Sequence, residues 1–144
     1  MRLLVGPVAP ECAAVWTEWA LEAIDELRAE GLPTGPLPPE TVDAIDAYVQ
    51  AWAQATRRGG KVCRWQSEVD PGQLEYLTNA LYKLDGHLSA QVTRGRRPAA
   101  PPQAEVFHGV LVEALLHALS EEGPCRAAFS EQLGQTWPAL GRPM

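Results

Sequence analysis

Residues 70–88 read DPGQLEYLTNALYKLDGHL and contain the clearest helix signal in the chain. Asp70 is a favourable N-cap, Pro71 suits the first helical position, and Gln73 completes a capping box with Asp70. Leucines then recur three and four residues apart, at positions 74, 77, 81, 84 and 88. This spacing is that of one apolar helix face, so the stretch predicts a helix that runs to about Arg94.

Prolines and glycines divide the rest of the chain into further helical segments. Apolar residues recur at helical spacing between these breaks, and they predict three more long helices and one short C-terminal helix. The predicted bounds are about 10–30, 39–58, 102–122 and 125–133. The helix at 102–122 is apolar on nearly every side, which is typical of a central helix. In the short helix, the residues expected to be buried are Cys125, Ala128, Phe129 and Leu133.

Residues 61–69 lack helical periodicity and are predicted to be extended or irregular. They could pair with Arg2–Val5 as a minor two-stranded ribbon. The two proline-rich connectors are too short to separate domains. We therefore predict an all-α fold, a single-domain helical bundle over residues 1–144 with four long helices and a short C-terminal helix. The tail from about residue 134 is expected to be loosely held, with Trp137 as its anchor.

Composition and the N-terminal segment indicate a cytoplasmic protein that does not enter membranes. The chain has 144 residues, of which 46% are apolar and 21% charged, values close to those of ordinary globular proteins. Its apolar runs are far shorter than the ~20 residues that span a bilayer. Pro7 and Pro10 interrupt the first apolar stretch, which is too short for a signal peptide. Cys12, Cys63 and Cys125 are far apart and odd in number, so they are predicted to be reduced thiols.

Charge is segregated along the chain, whose net charge is −6. Residues 1–56 carry nine acidic and two basic residues, whereas residues 57–97 carry eight basic and four acidic residues. The basic residues gather at the ends of two helices, where they complement the helix dipoles. If these helices are antiparallel neighbours, the two basic groups are ~30 Å apart and form no continuous phosphate track. Nucleic acid is therefore not an expected partner.

The first two helices carry an acidic face, which can be interpreted in two ways. Either the carboxylates are simply solvated, or they form a surface for a basic partner. The residues concerned are Glu18, Glu22, Asp25, Glu26, Asp43 and Asp46.

Catalytic and metal-binding motifs are missing from the sequence. It contains no GxSxG, HExxH, P-loop, GxGxxG or CxxC pattern. Glu105 and His108 have the spacing that di-iron bundles use, but no second Glu-x-x-His motif exists for the other half of such a site. We therefore predict no metal and no cofactor, and we favour a protein that is not an enzyme.

Residues 63–68 form the most unusual stretch, and the candidate binding residues within it are Arg64, Trp65, Gln66 and Glu68. Tryptophan and arginine dominate the binding energy of many interfaces, and connecting segments often carry function. The alternative is that Trp65 closes one end of the bundle. The binding hypothesis predicts that Trp65→Ala weakens partner binding while the fold stays intact.

Two functions remain open at this point. We favour a small helical binding or regulatory accessory protein that acts through contacts with another protein, and a homodimer is compatible with the leucine face of the third helix. The alternative is an enzyme or a small-ligand-binding protein with a pocket inside the bundle. Such a pocket would be lined by His108, Tyr76 and Tyr82, and a cavity beside His108 would favour it.

Overall fold

The computed structural model describes residues 2–29, 38–57 and 63–138. Within these ranges the chain forms five helices and two strands, which are β1 (Arg2–Val8), α1 (Pro10–Ala29), α2 (Pro39–Arg57), β2 (Cys63–Glu68), α3 (Pro71–Thr93), α4 (Pro102–Ser120) and α5 (Pro124–Thr136). The predicted all-α fold, with four long helices and a short C-terminal helix, is confirmed. None of the described helices is both long enough and apolar enough to cross a membrane.

Proline determines where the helices begin. Each of the five starts at a proline, whose missing N–H is not needed in the first turn; these are Pro10, Pro39, Pro71, Pro102 and Pro124. The predicted capping box of α3 is present. The backbone N–H of Gln73 donates to Oδ1 of Asp70 at 2.8 Å, and the backbone N–H of Asp70 donates to Oε1 of Gln73 at 3.2 Å.

The two strands form an antiparallel ribbon beside the bundle. Its register pairs Arg2 with Glu68 and Val5 with Trp65, and it shifts between Val5 and Val8. Leu3, Val5 and Val8 are buried in the main core, and β1 packs against α4. The ribbon therefore covers one side of α4 and is part of the core rather than an appendage.

Helix α4 is central, as its apolar character predicts, and it contacts α1, α3, α5 and β1. Its Phe107 packs against Trp16 of α1, with ring centroids 5.0 Å apart. Trp16 in turn contacts Trp52 of α2 at 5.5 Å. These aromatic rings fill the space between α1, α2 and α4.

Helix α5 presents a different face to the core than the sequence pattern predicts. Leu133 is buried as expected, but Cys125 and Ala128 are exposed, so their predicted burial is wrong. The reason is Ser130, which is buried and donates its hydroxyl to the backbone carbonyl of Leu116 at 2.7 Å. Because a serine can satisfy its hydroxyl in this way, the packed face of α5 is centred on Ser130 and Leu133.

Candidate functional site

The predicted binding stretch forms strand β2 of the ribbon. Gln66 and Glu68 are exposed on this strand. The side chains of Arg64 and Trp65 lie outside the described part of the chain. The four residues thus share one strand, and the role of Trp65 in binding stays a prediction.

The three residues of the predicted internal pocket lie in different surroundings. His108 is buried on α4, whereas Tyr76 of α3 is 48% exposed. The hydroxyl of Tyr76 lies 2.8 Å from Oγ1 of Thr41, so Tyr76 contacts α2. Tyr82 is half-buried and donates to Oγ1 of Thr136 at 3.0 Å. Only Tyr82 and His108 lie near a common group, which is formed by Asp85 and Trp137.

Asp85 and His108, which are buried, and the half-buried Trp137 form a polar node between α3, α4 and the end of α5. Nε2 of His108 lies 2.6 Å from Oδ2 of Asp85, and Nε1 of Trp137 donates to the same oxygen at 2.7 Å. Asp85 is 2% exposed and His108 8% exposed. The ring of Trp137 also makes an edge-on contact with Tyr82, with centroids 5.4 Å apart. Trp137 therefore anchors the chain after α5, as the sequence predicts.

The polar node is suited to holding helices together. Its one carboxylate contacts two donors, the buried His108 and the half-buried Trp137, and a buried donor left without an acceptor is costly. A histidine beside a carboxylate can also act as a general base, but it then needs access to a substrate. Three clefts in the described part of the chain are lined by side chains other than His108, Tyr76 and Tyr82.

The acidic face of α1 and α2 divides into two sets of carboxylates. In the first set, Asp43 and Asp46 bind Arg28 with N–O distances of 2.6 and 2.7 Å, and Glu26 pairs with Arg97. The hydrogen bonds from Arg28 to Asp46 and then to Asp43 raise the pKa of Arg28 above its ordinary value. These carboxylates serve contacts within the molecule.

The second set, Glu18, Glu22 and Asp25, lines a groove between α1 and α2, which we call the acidic groove. The groove has a volume of about 580 Å³, and its apolar lining residues are Ala14, Leu21 and Ala53. All three carboxylates are exposed, and none forms an ion pair with a residue that the structure describes. The acidic groove therefore combines apolar contact area with three unpaired negative charges.

Two further clefts are chemically different from the acidic groove. A cleft of about 500 Å³ at the turn between α4 and α5 is lined by Cys125, Phe129 and Arg126, whose Nε donates to Glu75 at 3.3 Å. A smaller cleft of about 80 Å³ lies between α1 and the end of α3 and includes Arg96 and Arg97. In the described ranges, no group of three or more His, Cys, Asp or Glu side chains is arranged to hold a metal ion.

Comparisons with known protein families, curated proteins and solved structures give no match to this chain. Its function must therefore be inferred from its own clefts, charges and contacts.

Proposed function

We propose that the protein is a helical accessory protein that binds a basic segment of another protein in the acidic groove. The observation that carries this proposal is the set of unpaired carboxylates, Glu18, Glu22 and Asp25, around a partly apolar groove. Other acidic residues of the same face are already used by Arg28 and Arg97 within the molecule. The groove carboxylates are thus the ones that remain available to a partner.

Charge and shape both support a basic protein segment as the occupant. Residues 1–56 carry nine acidic and two basic residues, so the field around α1 and α2 attracts cations. Leu21, Ala14 and Ala53 offer apolar contact area in the same groove. A helix or extended segment with lysine or arginine beside apolar side chains matches both features.

Charge reversal in the groove tests the proposal. The variant Glu18→Lys/Glu22→Lys removes the attraction while keeping residues with good helix propensity. The matched control is Glu113→Lys/Glu131→Lys, which changes the net charge equally at exposed positions of α4 and α5 that do not line the groove. Both variants should unfold at temperatures close to that of the unmodified protein.

The measurement is affinity capture from the cells that produce the protein, followed by quantitative mass spectrometry. We expect one protein to be captured stoichiometrically by the unmodified chain and by the control, and at least tenfold less by the groove variant. Capture should also fall as salt rises, because exposed charges are screened. A partner that binds the groove variant as well as the control contradicts the proposal, and so does the absence of any stoichiometric partner.

The captured partner then allows a direct test of the segment. Cross-linking should join lysines of the partner to Glu18, Glu22 or Asp25. A synthetic peptide of the cross-linked segment should bind the unmodified chain and the control, and its affinity should fall at least tenfold for the groove variant. Cross-links that fall only on the ribbon would instead favour the β2 residues Gln66 and Glu68 as the binding surface.

A further inference from the structure

Strand β2 has an edge that no other strand pairs with in the described part of the chain. The sheet there consists of β1 and β2, so β2 pairs with β1 along one side and with no described strand along the other. The N–H and C=O groups along such an edge can pair with a further strand. A sheet of two strands is marginal by itself, and added strands stabilise it. The edge of β2 is therefore a place where the sheet can be extended.

The register of the ribbon identifies the outer face of β2. Leu3 and Val5 of β1 are buried, whereas Leu4 between them is 45% exposed. Leu4 lies opposite Gln66, which is also exposed, and Glu68 is exposed as well. Because side chains alternate between the two faces of a strand, positions 64, 66 and 68 belong to this outer face. In sequence they are an arginine, a glutamine and a glutamate.

This order of residues is complementary to itself. Two copies of one strand can pair antiparallel about a two-fold axis perpendicular to the sheet. Such an axis keeps every side chain on its own face, so it must pass between two equivalent residues. With Gln66 on the axis, Arg64 of each copy lies opposite Glu68 of the other. Opposite charges at directly opposed positions stabilise a sheet, and this pairing contains two such pairs.

Other pairings of β2 with itself lose the complementarity. An axis at Trp65 places Arg64 opposite Gln66, and an axis at Ser67 places Glu68 opposite Gln66. A parallel pairing in register places each charge beside its own kind, and like charges at such positions repel each other. The charges of β2 therefore favour one partner and one register, which is a second copy of the strand, antiparallel and centred on Gln66.

We propose that two copies of the protein associate through β2 into one four-stranded antiparallel sheet with the order β1–β2–β2–β1. In this sheet Glu68 lies between two arginine positions, because Arg2 is its partner on β1 and Arg64 of the second copy is its partner across the interface. A carboxylate has two acceptor oxygens and can serve both neighbours. The interface is separate from the acidic groove, none of whose lining residues belongs to β2.

Sedimentation velocity of the 144-residue chain measures the association. The fraction of dimer should rise with concentration up to about 1 mM, a range in which even weak association is populated. Arg64→Glu and Glu68→Arg each place like charges opposite each other twice, so each should raise the dissociation constant about tenfold. The matched control is Glu113→Arg, which makes the same charge change as Glu68→Arg at an exposed position of α4 and should leave the dissociation constant unchanged.

The charge-swapped variant Arg64→Glu/Glu68→Arg decides whether the two positions pair across an interface. It restores both charge pairs with reversed sign, so it should dimerise about tenfold more tightly than either single variant. A general weakening of the ribbon predicts the opposite, because the swapped variant contains both substitutions. Circular dichroism and thermal unfolding check that all variants keep the fold.

Disulfide cross-linking tests the register. In the proposed dimer Gln66 lies opposite its own copy, where Cβ atoms are about 4.5–5.5 Å apart, close to the separation that a disulfide bridges. Gln66→Cys should therefore form a covalent dimer under mild oxidation, and peptide mapping should place the link between the two copies of residue 66. The unmodified chain, with its three cysteines, should not form this dimer, nor should Gln132→Cys at an exposed position of α5.

The proposal is wrong if the chain stays monomeric over the whole concentration range, or if Arg64→Glu and Glu68→Arg do not weaken the dimer. It is also wrong if the swapped variant dimerises no better than the single variants, or if residue 66 of Gln66→Cys cross-links to other cysteines instead. The groove variant Glu18→Lys/Glu22→Lys should dimerise like the unmodified chain. Failure of this proposal can therefore be distinguished from failure of partner binding in the acidic groove.

Discussion

The two sides of the molecule pack tryptophan in opposite ways. Between α1, α2 and α4, Trp16 packs against Trp52 and Phe107, and its indole N–H has no acceptor among the described residues. At the end of α5, Trp137 donates its indole N–H to Asp85 at 2.7 Å. The first side uses apolar contact, whereas the second depends on a directed hydrogen bond.

The difference extends to the charges on each side. The α1–α2 side buries no charged side chain among the described residues, and its Glu18, Glu22 and Asp25 are exposed and form no ion pair within the described part of the chain. The α3–α5 side buries the carboxylate of Asp85 and uses it to join three segments of the chain. Apolar packing has no strict geometry, but a buried carboxylate requires each of its donors to be in place. The α1–α2 side can therefore offer these three charges to a partner, whereas the carboxylate of Asp85 is fully used inside the molecule.

The largest expected loss of stability is that of Trp16→Ala, because Trp16 is 2% exposed in the aromatic core. Removing a buried tryptophan side chain lowers the free energy of unfolding by about 3–5 kcal/mol. Trp16→Phe should cost clearly less, since it keeps an aromatic ring and deletes an N–H that has no acceptor to lose. Urea unfolding measures both. Equal losses in the two variants would show that the indole N–H matters and would remove the contrast with Trp137.

The second-largest expected loss of stability is that of Asp85→Ala, which leaves His108 and Trp137 without their acceptor. Loss of the acceptor for one buried and one half-buried donor should lower the free energy of unfolding by about 2–4 kcal/mol. Asp85→Asn should cost less, because its amide oxygen still accepts one hydrogen bond. Trp137→Phe provides the double-mutant cycle with Asp85→Ala, and the two losses should be less than additive because they delete the same hydrogen bond. Strictly additive losses would mean that the contact between Asp85 and Trp137 contributes nothing.

The polar node joins residues that no local sequence pattern connects. The helix bounds could be predicted within a few residues because proline begins every helix. Asp85 lies four residues after Leu81 and three before Leu88, on the apolar face of α3, but the leucine spacing alone does not single it out as a site residue. An acidic residue at such a position signals a buried partner. Its partners, His108 and Trp137, are 23 and 52 residues away in the chain, so no local pattern could name them.

The acidic groove can be predicted only in part from the sequence, because it too depends on contacts between residues far apart in the chain. The acidic face was evident from the sequence, but its division into paired and unpaired carboxylates was not. That division depends on Arg28, which reaches Asp43 and Asp46 on the next helix, and on Arg97, which is 71 residues from Glu26. Only the packing of the helices decides which carboxylates an arginine can reach.

A smaller effect of opposite sign is expected from Gly86→Ala, next to the polar node on α3. A methyl group at this position would lie 3.7 Å from Cγ of Pro138, an ordinary van der Waals contact. Because glycine inside a helix costs stability, the variant should raise the free energy of unfolding by about 0.5–1 kcal/mol. Thermal unfolding measures it, with Asp85→Asn as a destabilised reference. A loss of stability would mean that Pro138 packs too tightly on α3 to leave room for a methyl group.

The smallest expected change in stability is that of Glu22→Gln in the acidic groove. It tests whether an exposed groove carboxylate supports the fold as the buried Asp85 does. Glu22 lies four residues from both Glu18 and Glu26 on α1, and like charges at this spacing repel each other. Glu22→Gln should therefore raise the free energy of unfolding by about 0.2–0.5 kcal/mol at low salt, and the gain should disappear at high salt. Glu113→Gln, which has no acidic neighbour three or four residues away, should leave stability unchanged.

The sign of the Glu22→Gln effect bears directly on function. A carboxylate that lowers the stability of the isolated protein contributes nothing to its fold, whereas Asp85 is needed for it. A basic segment bound in the groove would relieve the repulsion, so the same substitution should weaken partner binding while it stabilises the free chain. If Glu22→Gln instead destabilises the free chain, the groove carboxylates support the fold as Asp85 does, and the contrast between the two sides of the molecule is lost.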